Sequence, residues 1–286
     1  MKKVRKAVIP VAGMGTRFLP VTKSIPKEML PIVDKPTLDY IIDEAIESGI
    51  EEILLITSPY KKSIEDYYDE HYELENRLEK SGKIEQLDLV KGLSKKVSIF
   101  YRRQGEPMGS GHAINLARSF VGDEPFAVLY GDDLMKYEKP VLKQLIEMYE
   151  KYGANVIGVQ EVPHDQVYKY GIIEYSDKTT GKIKTIIEKP KVEDAPSNMA
   201  GLGRYIVDSD IFNILSDLKP STNNEVQFTD AMKELMNTQD FYACEYEGTY
   251  YDTGSKLGYL KANIEFGLNR DELKEGLTEY IDSKNK

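Results

Sequence analysis

Between Lys6 and Pro36 the chain reads KAVIPVAGMGTRFLPVTKSIPKEMLPIVDKP, and the prolines of this stretch constrain the fold more than any other feature. Lys6 to Ala12 form a short apolar run suited to a buried strand. Four prolines follow, Pro20, Pro26, Pro31 and Pro36, at a density that forbids a continuous helix. The cations Arg17, Lys23, Lys27 and Lys35 are therefore carried on an irregular loop leaving the end of a strand. In an open α/β sheet, ligands bind at that place. Gly13 and Gly15 allow backbone N–H groups to approach an anion closely, and fixed cations add charge. The stretch reads as a triphosphate cradle.

Two common phosphate-binding motifs are excluded. A dinucleotide fingerprint needs a third small residue opening a helix, but Phe18 and Pro20 occupy that region. A Walker loop needs a Gly-Lys-Ser/Thr ending, which is absent. By itself the Gly-x-Gly is compatible with a plain tight turn.

The rest of the first half alternates strands and helices. Leu38 to Ser48 have helical spacing closed by Gly49, and Glu52 to Ser58 form a second apolar strand. Lys61 to Gly92 are charged and rich in Tyr, Leu and Glu, reading as two or three amphipathic helices without evident chemistry. Val97 to Arg102 predict a third strand, leading into the glycine-rich Gln104–Ala113 loop and a helix to Ser119. Phe126 to Tyr130 form a strand that ends in Gly131-Asp132-Asp133. Carboxylates at such a strand end suit Mg²⁺ and phosphate, with Asp132 the first candidate ligand and Asp133 a turn or helix cap. Pro140 starts a helix to about Lys151, and Asn155 to Val162 predict another strand.

Beyond that point the pattern changes. Tyr170–Tyr175 and Lys182–Glu188 flank a DKTTG turn and predict antiparallel strands. Met199–Val207 and Tyr242–Glu247 add strands, and Asn224–Met236 reads as an amphipathic helix. Asp252 is either a second metal carboxylate or the N-cap of a helix over 256–268, and 270–286 reads as a charged C-terminal helix. The fold class is α/β: a Rossmann-like, mixed but mostly parallel central sheet flanked by helices, with a smaller antiparallel region. One domain over 1–286 is expected, with halves at about 1–153 and 154–255 and C-terminal helices from about 256.

The net charge of −10 argues against nucleic acid as a partner. Residues 1–37 carry a net +6 within this acidic chain, so the loop cations stand out. A bound Mg²⁺ would supplement them against an anionic substrate. The lone Cys244 excludes an internal disulfide and a multi-cysteine metal site. His71 and His164 lie in polar stretches as solvated residues, whereas His112 sits in the glycine-rich loop and orients it. No stretch approaches the ~20 apolar residues of a membrane span, and no targeting segment is visible. A cytoplasmic location is expected.

The string G-x-G-T-R-x-x-P-x-T-K-x-x-P-K-E-M-L-P over 13–31 closely resembles the nucleotide-binding signature of the sugar-nucleotide pyrophosphorylases. Its PKEMLP segment resembles the branch of bacterial UTP–glucose-1-phosphate uridylyltransferases. The R-Q-x-x-P-x-G-x-G-H-A segment from Arg103, the Glu188-Lys189-Pro190 site, the 224–236 segment and the Tyr250–Lys256 segment resemble that family in the same order, across nearly the whole chain. Ser110 departs from it, since an apolar residue is more frequent there.

The resemblance implies UTP and glucose-1-phosphate as substrates, UDP-glucose and pyrophosphate as products, Mg²⁺ as cofactor, and a homo-oligomer, dimer or tetramer. It implies that Arg17 and Lys27 hold the triphosphate beside Asp132, and that Ala12, Gly13, Gly15 and Thr16 admit the phosphates. Glu28, Gln104 and Gly109 contact the nucleoside. Gly171, Glu188 and Lys189 hold the sugar phosphate in the antiparallel region, and Asp132 with Asp252 holds the metal. Ser/His/Asp and Cys/His triads are not offered by the residues, which fits a reaction whose attacking phosphate oxygen is already ionised. The alternatives are a thymidylyl- or cytidylyltransferase on the same fold and a non-catalytic nucleotide-sugar sensor. PKEMLP and the 61–92 insertion weigh against the first; the retained carboxylates and Lys27 weigh against the second.

Overall fold

The computed structural model describes residues 2–95, 97–221 and 224–284. Strand β1 (Lys6–Pro10) is buried on both faces: Ala7 and Ile9 point to one side and Val8 to the other, as the two-residue strand period dictates. After the proline-broken loop come two-residue strands β2 (Pro31–Ile32) and β3 (Lys35–Pro36), then helix α1 (Thr37–Glu47) and strand β4 (Glu52–Thr57). Gly49, with φ 95°, closes α1 as its sequence predicts. The insertion is three helices, α2 (Lys62–Tyr68), α3 (Tyr72–Lys80) and α4 (Ile84–Lys95), followed by β5 (Ser98–Arg103). Next come α5 (Ser110–Asn115), α6 (Arg118–Val121), β6 (Phe126–Leu129), β7 (Asp133–Lys136), α7 (Val141–Tyr152) and β8 (Asn155–Glu161). The second half adds β9 (Gly171–Asp177), β10 (Lys182–Glu188), β11 (Met199–Val207), α8 (Ile211–Asp217), α9 (Phe228–Leu235), β12 (Phe241–Glu245) and β13 (Thr249–Asp252). Helices α10 (Lys256–Leu268) and α11 (Asp271–Lys284) finish the described chain; 285 and 286 of the expected last helix lie outside it.

Nine strands share one sheet in the order β5-β4-β1-β6-β11-β8-β12-β10-β9. The first four run parallel, as their βαβ connections require. β11 then enters antiparallel, and β9 pairs with β10 and also touches β11, so the far end of the sheet curls back on itself. The antiparallel region is thus continuous with the parallel one. Helices α1 and α7 cover one face, and α5, α8 and α9 cover the other.

Two local expectations are corrected, and one feature is added. The helix read from Asn224 begins at Phe228, because the Val226 N–H donates to Met108 and its carbonyl accepts from Gly111. Those bonds hold 225–227 away from a helical path. The helix read to Ser119 is two short pieces, α5 and α6. A strand pair escaped the sequence reading altogether: β7 pairs antiparallel with β13, placing Asp252 opposite Asp133. Beneath this pair, the fully buried Arg204 guanidinium of β11 binds Glu44 of α1 at 2.7 Å and donates to the Asp133 carbonyl at 2.9 Å. No described helix is long and apolar enough to cross a membrane.

Candidate active site

The cradle loop leaves the C-terminal end of β1 and is broken into three short turns, Thr16–Phe18, Val21–Lys23 and Lys27–Met29. Gly15 takes φ 65°, and a side chain there would stand 3.1 Å from Cβ of Lys27. Lys27 therefore runs directly beneath the glycines, and its ammonium meets Oδ2 of Asp132 at 2.5 Å. Burial disfavours both charges, yet each outweighs that cost for the other. Asp132 is held below the usual carboxylate range, and Lys27 above the usual lysine range. Arg17 reaches in from the exposed side, 4.0 Å from Asp132 and 3.5 Å from Asp252.

Asp252 is not a helix cap. Ser255 fills that role, its hydroxyl accepting from the Gly258 N–H at 3.1 Å. Thr253 ties this junction to the end of β6, donating to the Asp132 carbonyl from its N–H at 3.0 Å and its hydroxyl at 2.7 Å. A Cβ on Gly254 would meet Asp132, Arg17 and Asp252 at 2.4, 2.7 and 3.0 Å, so all three side chains converge beside that glycine. Asp133 is not a turn or cap either. It opens β7, accepts from the Tyr250 hydroxyl at 2.8 Å, and lines the main cleft. Burial, with the neighbouring Asp132 charge second, pushes its carboxyl up to about 7.

Two clefts meet at Asp132, Tyr130, Ser110 and Glu225. The smaller, about 270 Å³, is lined by Ala12, Gly13, Lys27, Glu28, Gln104 and Gly109. Gln104 is buried, and its amide nitrogen lies 3.3 Å from the Gly109 carbonyl and 2.8 Å from Nδ1 of His112. His112 thus orients this loop, as its sequence position suggests. Gly109 takes φ 100°, and a side chain there would strike the Val226 carbonyl at 2.5 Å. Both oxygens of the buried Glu28 carboxylate accept from Lys61, at 2.7 and 2.9 Å. The larger cleft, about 530 Å³, is lined by Arg17, Asp132, Asp252, Gly171, Glu188 and Lys189 among others. Glu188 accepts from the Thr229 hydroxyl at 2.7 Å and lies 3.3 Å from the Lys189 ammonium. A Cβ on Gly171 would stand 3.4 Å from Oε2 of Glu188, so that glycine keeps the carboxylate accessible.

The structure brings together every sequence-predicted residue except two. Gly15 lines neither cleft, and Thr16 faces a separate recess behind the loop with Leu19 and Thr22. Sequence reasoning missed Lys61, Thr229 and Tyr250 as partners of Glu28, Glu188 and Asp133. All three contacts span 33 or more positions. The available signals were Thr229 and Tyr250, each inside a segment already matched to the family.

A cation-lined cradle on a parallel strand end, joined through carboxylates to a second polar cleft, defines a nucleotidyl-transferring class of protein. The family model for nucleotidyl transferases matches residues 6–267. The UTP–glucose-1-phosphate uridylyltransferase of Bacillus subtilis strain 168 is 49% identical over 284 residues, spanning 99% of this chain and 97% of the relative. A crystal structure of UDP-glucose pyrophosphorylase complexed with UDP-glucose aligns with a TM-score of 0.84 and 42% identity, over 93% of this chain and 100% of that one. A UTP-bound UGPase from Acinetobacter baumannii aligns at 0.88 and 40%, over 97% and 98%. The chain belongs to the nucleotidyl transferase family, within its group of UTP–glucose-1-phosphate uridylyltransferases.

Proposed function

We propose that this chain transfers a uridylyl group from UTP to glucose-1-phosphate, giving UDP-glucose and pyrophosphate. The observation that carries this is the convergence of Lys27, Arg17, Asp132 and Asp252 where the two clefts meet. There the α-phosphate of a nucleotide in the smaller cleft would face a sugar phosphate in the larger one. The sugar-phosphate oxygen attacks the α-phosphorus in line, and pyrophosphate leaves. Lys27 and Arg17 neutralise the charge that builds on the phosphates, while Gln104, Gly109 and Glu28 position the nucleoside. Gly171 and Glu188 receive the glucose hydroxyls, and Lys189 faces its phosphate. Catalysis is then positioning plus charge stabilisation, with no protein nucleophile.

The residues fit Mg²⁺. Asp132 and Asp252 offer carboxylate oxygens 2.4 and 3.0 Å from one point beside Gly254, a point from which the Arg17 guanidinium stands 2.7 Å. Among the described residues no cluster of three or more His, Cys, Asp or Glu is arranged for a metal. Mg²⁺ characteristically takes one or two carboxylates and completes its shell with substrate phosphates and water. When bound, it adds charge neutralisation at the phosphates. We further propose a cytoplasmic enzyme, supported by its nucleoside triphosphate substrate. A dimer or tetramer is supported by the exposed apolar stripe Leu257, Leu260 and Ile264 along α10.

Mass spectrometry of the product from UTP and isotope-labelled glucose-1-phosphate tests this reading. Labelled UDP-glucose is expected, stopped by a chelator and restored by added Mg²⁺. Turnover that survives exhaustive chelation would overturn the metal assignment, and no labelled nucleotide sugar would overturn the reaction.

A further inference from the structure

Lys61 stands at the start of the charged insertion, where the sequence shows no chemistry. A turn closed by its N–H donating to the Ser58 carbonyl at 3.1 Å brings it under the cradle, and the buried Ile64 anchors the helix that follows. Lysines ordinarily keep the ammonium in water. Here the side chain is 7% exposed, and its ammonium instead meets both oxygens of Glu28. The pair forms part of the wall between two spaces. Lys61 lines the recess behind the loop, with Ala12 and Met14, and Glu28 lines the smaller cleft, with Gln104 and Gly109. Gly131 leaves room for the Glu28 stem, since a Cβ there would stand 3.3 Å from its Cγ.

The other deeply buried ion pair behaves differently. Glu44 accepts from Arg204 through three contacts and also from the Leu142 N–H, and it lines neither cleft. Its acceptor capacity is used inside the fold. Among the described residues, the Glu28 carboxylate has Lys61 as its only side-chain partner, and a carboxylate keeps about four acceptor sites. Acceptor capacity therefore remains on the side facing the cleft.

We propose that Lys61 is a positioning residue for the nucleotide: it fixes Glu28, in one orientation and in its charged form, as an acceptor for a donor group of the nucleoside, a base N–H or a ribose hydroxyl. This rests on the nucleotide reading of the smaller cleft. Lys61 does not line the larger cleft and makes no direct contact with Asp132, although its charge is felt there, so its loss falls chiefly on nucleotide binding. Losing an oriented, charged acceptor weakens binding by about 10- to 100-fold.

The test compares wild type, Lys61→Met and Lys61→Arg by steady-state kinetics and by calorimetric titration with UTP, alongside thermal melting. For Lys61→Met the UTP KM and Kd should rise at least tenfold, with the glucose-1-phosphate KM within twofold of wild type. Lys61→Arg, which keeps the charge, should recover most of the loss. An unchanged UTP Kd in Lys61→Met, or equal increases in both KM values, would overturn the proposal as a structural effect only. If Lys61→Met does not fold, Lys61→Gln, which keeps a donor but removes the charge, decides: a UTP Kd raised several-fold with unchanged glucose-1-phosphate KM supports it, and wild-type values for both overturn it. Binding is measured independently of turnover. A wild type that binds UTP without uridylyl transfer would therefore refute the reaction while still testing Lys61.

Discussion

The smaller cleft, proposed for the nucleotide, and the larger, proposed for the sugar phosphate, hold their carboxylates by different means. On the nucleotide side, Asp132 is held by Lys27 and Glu28 by Lys61, both charged partners. On the sugar side, Glu188 accepts from the Thr229 hydroxyl and Asp133 from the Tyr250 hydroxyl. The contrast follows the ligands. A triphosphate brings several negative charges, so cations must be in place before it arrives, and buried cations need carboxylates to hold them. A sugar brings hydroxyls, so its side of the site needs oriented acceptors. Neutral hydroxyl donors orient a carboxylate without cancelling its charge. Charged pairs in the larger cleft are Lys189 with Glu188 and, where the two clefts meet, Arg17 with Asp252.

The largest expected effect falls on the buried Glu44–Arg204 pair beneath β7 and β13. Glu44→Ala leaves the Arg204 guanidinium buried and unpaired, and should cost about 3–5 kcal/mol of stability by urea denaturation. A loss below about 1 kcal/mol would show that the surrounding structure relaxes without this pair. Next come the charged residues where the clefts meet. Asp132→Asn and Arg17→Ala should each lower kcat by about 10²–10³-fold. Arg17 is largely exposed, so its variant should melt close to wild type. Near-full turnover of either variant at saturating substrate would remove it from the catalytic set.

On the sugar side the expected change is smaller and confined to one substrate. Thr229→Val removes one donor from Glu188 and should raise the glucose-1-phosphate KM about tenfold, with the UTP KM unchanged. A matching rise for UTP would blur the division between the clefts. The smallest effect on chemistry is expected at the α10 stripe. Leu260→Lys should shift sedimentation toward the monomer while leaving kcat within about twofold of wild type. An unchanged sedimentation coefficient would exclude this face as the contact between copies.

Much of this was legible in the chain. The alternation of apolar strands with helical patterns read out the parallel strands, because strands buried on both faces must be continuously apolar. The proline-broken cradle, the Asp132 strand end and the Glu188 site were legible because each is a local string. What escaped depends on contacts distant in sequence. Lys61 reads as one more charge in a charged insertion until β4 places it beneath Glu28. The β7–β13 pair is four residues a side, too short for a period, and it made Asp133 look like a turn. The start of α9 was set by backbone bonds from Val226 to the 108–111 loop, which no propensity encodes.

The most direct measurement is pyrophosphate release by the purified protein with glucose-1-phosphate, comparing UTP, dTTP, CTP and ATP with and without Mg²⁺. UTP and dTTP differ by one methyl group and one ribose hydroxyl, and a pocket separates a methyl by only ~1–3 kcal/mol, so nucleotide preference tests the account most sharply. Mg²⁺-dependent release that prefers UTP is the predicted result. A clear preference for dTTP would keep the fold and the in-line chemistry but contradict the uridylyl assignment. No release with any nucleotide, in a protein that still binds UDP-glucose, would contradict catalysis itself.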